Sequence, residues 1–168
     1  MKLRHAIPDD AMAIAKVNVN SWRSAYRDLV PDDRLAELDH TRVAESFRKS
    51  ISLGSEDICI AEENDTVIGF LAFGRCRDSD VDQGATGEIY AMYLVPEQWR
   101  KGIGQSMWRE GERIFKARGY SQVVLWVFEG NERGRRFYEA MGFTTDGATR
   151  ILNIGAPLDA IRYCKDIG

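Results

Sequence analysis

Apolar positions along this chain follow two rhythms, short continuous runs and spacings of three and four. LRHAI (3–7) is a strand candidate closed by Pro8. The stretch from Pro8 to Tyr26 opens as a helix should, with acidic residues in its first turn. On it Asn18, Trp22 and Tyr26 recur four apart, while Ile14, Val17 and Ala25 mark a buried flank. Pro31 breaks this helix, and residues 32–53 read as one or two more, carrying Leu35, Leu38, Val43 and Phe47. DICIAEE (57–63), the turn END and TVIGFLAFGRC (66–76) predict a hairpin. A polar loop, RDSDVDQGATG, leads to the aromatic-rich strand EIYAMYLVP (88–96), stopped by proline.

RKGIGQSMWREGERIFKARG (100–119) is again helical, with Ile103, Met107, Gly111, Ile114 and Phe115 on one side and Gly119 at its end. QVVLWVF (122–128) is a continuous apolar run, as in a strand buried on both faces. A short helix over 131–142 follows, and TTDGATRILNIGA (144–156) and LDAIRYCKD (158–166) supply two last strands. The order predicts a mixed α/β (α+β) fold, one domain over residues 1–168, without repeats or low-complexity segments.

The short helix reads NERGRRFYEAMGF. Asn131 suits an N-cap, and Gly142 sits where a left-handed residue ends a helix, with apolar Phe143 after it. Asn131, Gly134 and Tyr138 share one face, and Phe137 and Met141 form a neighbouring apolar stripe. A glycine inside a helix costs about 1 kcal/mol relative to alanine. That cost is reasonable where something must approach the backbone; a capped core helix with a tolerated glycine is the other reading.

Charge narrows the function classes. There are 23 basic and 26 acidic residues, a net charge of −3, which argues against nucleic-acid binding. Basic residues gather at Arg133, Arg135 and Arg136 and at Arg100 and Lys101. Cys59, Cys76 and Cys164 form no CxxC pair, and His5 and His40 are the only histidines, so no metal set is expected. MKLRHAIPDD has no apolar leader core, and no run reaches the ~18 apolar residues of a membrane helix. The expectation is a cytoplasmic protein with no membrane partner.

One more stretch, VPEQWRKGIGQSM, places Gly102 and Gly104 where a buried strand turns into a helix. Glycines there let the backbone approach an anion, free N–H groups point outward, and the helix dipole favours negative charge. GxxxxGK[ST] is absent, GIGQSM lacks the third glycine of a dinucleotide fingerprint, and the preceding strand is the fourth. ATP and NAD are poor fits.

Taken together, MYLVPEQWRKGIGQSM and LWVFEGNERGRRFYEAMGF resemble the GCN5-related N-acetyltransferase (GNAT) family, the first its acetyl-CoA pyrophosphate loop and the second its Asn, small residue, Phe-Tyr and Gly-Phe motif. The loop departs from the family pattern at Trp99, three residues before Gly102. The resemblance implies a mixed six- to seven-stranded sheet with a splayed central strand and helices on both faces. It implies acetyl-CoA as co-substrate, with no metal, held by Met92, Tyr93 and Leu94, by Trp99, Arg100, Lys101, Gly102, Ile103, Gly104 and Gln105, and by Asn131, Gly134 and Tyr138.

By the same resemblance Tyr138 protonates the departing thiolate, and Glu88 matches the position of a carboxylate that serves as base through water. Its other reading is a surface Glu at a strand edge. Asn18, Trp22, Tyr26 and Tyr90 are candidates for lining an amine pocket, with plain core packing the other reading of the stripe on the first helix. Acidic residues of the 78–82 loop are candidates for attracting a cationic substrate or are simply solvated. The expected activity is acetyl transfer to a primary amine of a small molecule. Acetylation of a protein or peptide amine and a non-catalytic acyl-CoA-binding domain are the alternatives. A homodimer is an option, for which Trp108 and Trp126 are large apolar residues that fit a core equally well.

Overall fold

The computed structural model describes residues 1–153 and 156–168. Seven strands form one sheet: β1 (Lys2–His5), β2 (Asp57–Glu63), β3 (Thr66–Arg75), β4 (Thr86–Leu94), β5 (Gln122–Phe128), β6 (Thr144–Asn153) and β7 (Pro157–Asp166). Their spatial order is β1-β2-β3-β4-β5-β7-β6. Only β4 and β5 run parallel; every other neighbouring pair is antiparallel. The described helices are α1 (Ala11–Ala25), α2 (Asp32–Ala36), α3 (His40–Leu53), α4 (Ile103–Ala117) and α5 (Glu132–Ala140), with 3₁₀ turns at Pro8–Asp10 and Pro96–Gln98. Residues 32–53 therefore hold two helices, and Asp39 caps the second by accepting from Thr41 N–H. The expected strand over 144–156 ends at Asn153, and its positions 154 and 155 lie outside the described residues.

Alternation along β2 and β3 sorts side chains to two faces. Cys59, Ala61, Leu71 and Phe73 meet α4 through Met107, Ile114 and Phe115. Ile58, Ile60, Phe70 and Ala72 meet α1 through Ile14 and Val17, with Phe47 and Ile51 of α3 packed against them. All five apolar-side positions expected on α4 are buried. Helices thus cover both faces. No described helix is long and apolar enough to cross a membrane.

One irregularity organises the rest. Ala72 faces Ala91 while Phe73 faces Ile89, so Tyr90 is an extra residue on β4, a β-bulge. An inserted residue reverses the phase of the strand beyond it. Tyr90 and Ala91 both pack on the α1 side; beyond them Met92 and Leu94 turn to the α4 side and Tyr93 to the α1 side. β4 pairs with β5 only over Thr86–Ile89, against Gln122–Leu125. Past that point the two strands part.

Helix α4 lies close to the base of this split because Gly87 has no side chain. A Cβ there would collide with the ring of Phe115, which is fully buried and meets Phe73 edge-on with centroids 5.1 Å apart. Gly87→Ala should lower the unfolding free energy by about 1–3 kcal/mol through overpacking. Urea denaturation followed by circular dichroism checks this, and an unchanged midpoint would show that α4 has room to move.

Candidate functional site

Where β4 and β5 part, a cavity of about 640 Å3 opens between them. Its walls come from β4, the start of α4, α5, the end of α1, and β5 and β6. Trp22, Tyr26, Glu88, Tyr90, Met92, Tyr93, Leu94, Trp99, Arg100, Gly102, Ile103, Gly104, Gln105, Asn131, Gly134 and Tyr138 all border it. Asn18 and Lys101 do not: Asn18 lies a turn further back on α1, and Lys101 faces solvent.

The backbone of β4 presents free groups to this cavity. Val95 N–H donates to Ile68 O of β3 at 2.9 Å. Successive residues of a strand turn their N–H and C=O to opposite edges. Leu94 and Met92 therefore face the edge that β5 has left. There Leu94 O accepts from Ser21 Oγ at 3.0 Å and from Trp99 Nε1 at 2.9 Å. Trp99, which departs from the family pattern, is thus an anchor for the loop, and the guanidinium of Arg133 lies 3.9 Å from its ring centre.

The two loop glycines serve different needs. Gly102 has φ +78° and Arg100 φ +62°, so the chain twists through the left-handed region twice before the helix starts. Gly102 caps α4 without a side chain, and the first helical bond runs from Ser106 N–H to Gly102 O. The amides of Ile103, Gly104 and Gln105 consequently have no intrahelical acceptor. Gly104 is small for packing: a Cβ there would sit 3.1 Å from the ring of Phe137 on α5.

Asn131 caps α5 by accepting from Gly134 N–H at 3.0 Å. A Cβ on Gly134 would sit 2.6 Å from the Asn131 side-chain nitrogen, so the glycine first makes room for the cap. Gly142, at φ +87°, ends the helix as expected, and Phe143 N–H returns to Tyr138 O at 3.0 Å. The Tyr138 ring leans edge-on against Phe137 and Phe143, and its hydroxyl hydrogen-bonds to no described residue. Burial pushes this phenol's pKa well above its ordinary value, with the nearby Tyr26 adding to the effect. Tyr26 itself is buried, meets Trp22 and Phe128 edge-on, and shares a 3.2 Å hydrogen bond with the Tyr93 hydroxyl. Burial raises both of these phenols as well.

Glu88 is not a surface residue at a strand edge. It is 1% exposed and held by Arg77, whose Nη2 donates to Oε1 at 2.7 Å and whose backbone N–H and Nε donate to Oε2 at 2.9 and 3.1 Å. The Arg77 guanidinium also lies 4.0 Å from the centre of the Tyr90 ring, so Glu88 and Tyr90 do share a face. Tyr90 donates its hydroxyl to Arg75 O at 2.6 Å. The acidic loop is not a free cation trap. Asp78 and Asp80 bind Arg162, a 7% exposed side chain that also bonds Asp146.

Several wall residues carried no mark in the sequence. Arg77, Ser21, Trp126, Arg150, Leu152 and Asn153 border the cavity, yet they sit in a loop, on a helix and on strands far apart in the chain. The strand expected over 144–156 was the signal that came nearest, and the structure shows its alternation, with Arg150 and Leu152 less exposed than Ile151 and Asn153. Trp126 donates to Asp78 at 2.8 Å and lies under Arg150, and Trp108 is 2% exposed against Phe143. Neither tryptophan offers an open apolar patch for a second copy. The cysteines behave as packing residues, with burial pushing the Cys59 thiol up to about 11.

Comparison with known proteins agrees with this geometry. A family model described as the Acetyltransferase (GNAT) family matches residues 19–143. An uncharacterized N-acetyltransferase of Bacillus subtilis, YuaI, is 35% identical over 130 residues, 77% of this chain and 72% of its own. Spermidine N(1)-acetyltransferase of Thermoplasma acidophilum is 24% identical over 160 residues, 90% of this chain and 95% of its own. Among solved structures, PaiA N-acetyltransferase of T. acidophilum in complex with coenzyme A shares the fold with a TM-score of 0.79 at 21% identity, over 98% of each chain. The split between β4 and β5, the glycine loop at α4 and the capped helix with Tyr138 thus sit in a chain that belongs to the GNAT family of acetyltransferases.

Proposed function

We propose that this chain is an acetyl-CoA-dependent N-acetyltransferase, working as one domain on the primary amine of a small molecule. The observation that carries the reading is the parted β4–β5 pair, with unpaired strand backbone on one side and Tyr138 on the other. The residues present fit the co-substrate. Three free amides, the positive end of the α4 dipole, Arg100 and Arg133 suit a pyrophosphate. Met92 and Leu94 amides suit an extended pantetheine chain added like a strand. A neighbour of the same fold is described as a coenzyme A complex, which supports the same choice.

When bound, the thioester supplies an activated acetyl group and a sulfur leaving group. Transfer forms an N–C bond and breaks a C–S bond. An amine that arrives as ammonium gives up one proton before attack and a second after it; the sulfur receives one, and one leaves to solvent. Tyr138 is the donor to sulfur. Its raised pKa keeps it protonated through the working range, and its uncommitted hydroxyl is free to point at the departing group. Glu88 is the base, acting through a water. Three of its roughly four lone-pair sites are taken by Arg77, which orients the carboxylate and leaves one site for that water. Arg150 and Leu152 border the cavity together with Trp22 and Tyr26, a lining that favours a compact acceptor over an extended peptide.

Tyr138→Phe should lower kcat by about 100-fold, with acetyl-CoA affinity by calorimetry changed less than about twofold. Because burial disfavours the phenolate, wild-type activity should not fall as pH passes 10, where a free phenol titrates. Equal turnover in the Phe variant would remove Tyr138 from the chemistry. Glu88→Gln should cost about 100-fold at pH 7, and the deficit should shrink by pH 10, where an amine of pKa near 10 is about half neutral without help. A deficit constant across that range would mean that Glu88 only shapes the pocket.

A further inference from the structure

The acceptor half of the cavity is bordered by Arg77, Glu88, Trp126 and Arg150. A polyamine brings a second cation besides the reacting amine, and the nearby carboxylates are largely engaged: Glu88 keeps one site, assigned above to the base water, and Asp78 Oδ1 lies 3.6 Å from Arg150. Glu88 accepts three bonds from Arg77, and Asp78 accepts from Trp126 Nε1 and from Arg162 Nη1. Asp80 and Asp146 are bound by Arg162.

Arg150 is the opposite case. Its guanidinium carbon lies over Trp126, 4.0 Å from the ring centre, an arrangement in which the outer N–H donors remain available to a ligand. No hydrogen bond joins it to any described residue; its nearest charge is Asp78 Oδ1 at 3.6 Å. Its Nε is buried and has no acceptor among the described residues. The side chain as a whole is 37% exposed, so its outer nitrogens reach the cavity, and partial desolvation lowers Arg150's pKa despite Asp78 and Glu88 nearby. The planar fork of an arginine matches a carboxylate with two parallel bonds.

We infer that the acceptor is an amine that also carries a carboxylate, and that Arg150 receives that carboxylate while the amine points toward Glu88. This rests on the N-acetyltransferase reading above and narrows its substrate class to small amino acids and their analogues. Arg150 would be a specificity-determining residue, exchanging solvent and its long contact with Asp78 for the substrate carboxylate.

The test uses three matched sets with acetyl-CoA: the free protein amino acids, their carboxamides, and the corresponding decarboxylated amines, with spermidine beside them. Thiol release is the rate readout, and calorimetric titration of the coenzyme A-loaded protein is the binding readout. At least one amino acid should exceed its carboxamide and its amine by about tenfold or more in kcat/KM. Arg150→Gln should raise KM for that amino acid and erase the preference, leaving acetyl-CoA binding intact. Arg150→Lys, which keeps the charge and loses the fork, should fall between.

Faster turnover of carboxamides, decarboxylated amines or spermidine overturns the inference, as does an acetyl-CoA-binding protein that neither binds nor acetylates any amino acid. An unchanged KM in a folded Arg150→Gln protein overturns it too. Absent acetyl-CoA binding would instead sink the N-acetyltransferase reading itself, and the inference with it.

Discussion

Two parallel strands that agree for only four residue pairs, Thr86–Ile89 against Gln122–Leu125, determine most of what this chain is able to do. Buried backbone N–H and C=O groups need partners, so a sheet that opens must supply replacements or take them from a ligand. The protein does both. Leu94 O is satisfied by Ser21 and Trp99, while the Met92 and Leu94 amides remain at an unpaired edge. The bulge at Tyr90 makes this possible by reversing the strand's phase. Without it, Met92 and Leu94 would keep to the face of Glu88 and Tyr90, and the strand would have no reason to leave its neighbour.

The cavity's electrostatics follow from where carboxylates are spent. Buried ions are tolerated when paired and fully hydrogen-bonded. Glu88 and Arg162 both satisfy that rule, one with three bonds from Arg77 and the other with carboxylates from three positions. These networks link the loop after β3 to β4, β5, β6 and β7, so they fix the far wall of the cavity as well as its charge. A chain with net charge −3 thereby presents a cleft whose uncommitted charges are arginines. Global charge says little about a site when the acids are bound internally.

Local features were legible in the sequence, and contacts between distant segments were not. The buried face of α4, the apolar run of β5, the Asn131 cap and the Gly142 stop are written in spacings of three and four or in single turn residues. Gly104 and Gly134 were visible as glycines, but their reasons were not, because Phe137 and the Asn131 side chain fill the space above them. The bulge at Tyr90 lacks a glycine or proline to announce it. Arg162 meets Asp80 across 82 residues of chain and Trp126 meets Asp78 across 48, distances over which periodicity carries no information. The acidic loop read as a possible substrate lure, and the structure shows two of its acids, Asp78 and Asp80, as counterions of Arg162.

Tyr138 shows how such distant contacts set a site. It stands on a nine-residue helix with no fully buried residue, shorter than the roughly 12–15 residues at which isolated helices become marginal. The helix must then be held from outside. Phe137 lies on Gly104, Arg133 covers Trp99, and Arg135 donates to Tyr163 Oη at 3.2 Å while Tyr163 donates to Glu139 at 2.7 Å. Two of these contacts tie α5 to the glycine loop and two tie it to Tyr163 of β7. The position of the phenol is thus coupled to the same loop that offers its free amides. Whatever orders that loop also presses α5, and with it Tyr138, against the split in the sheet.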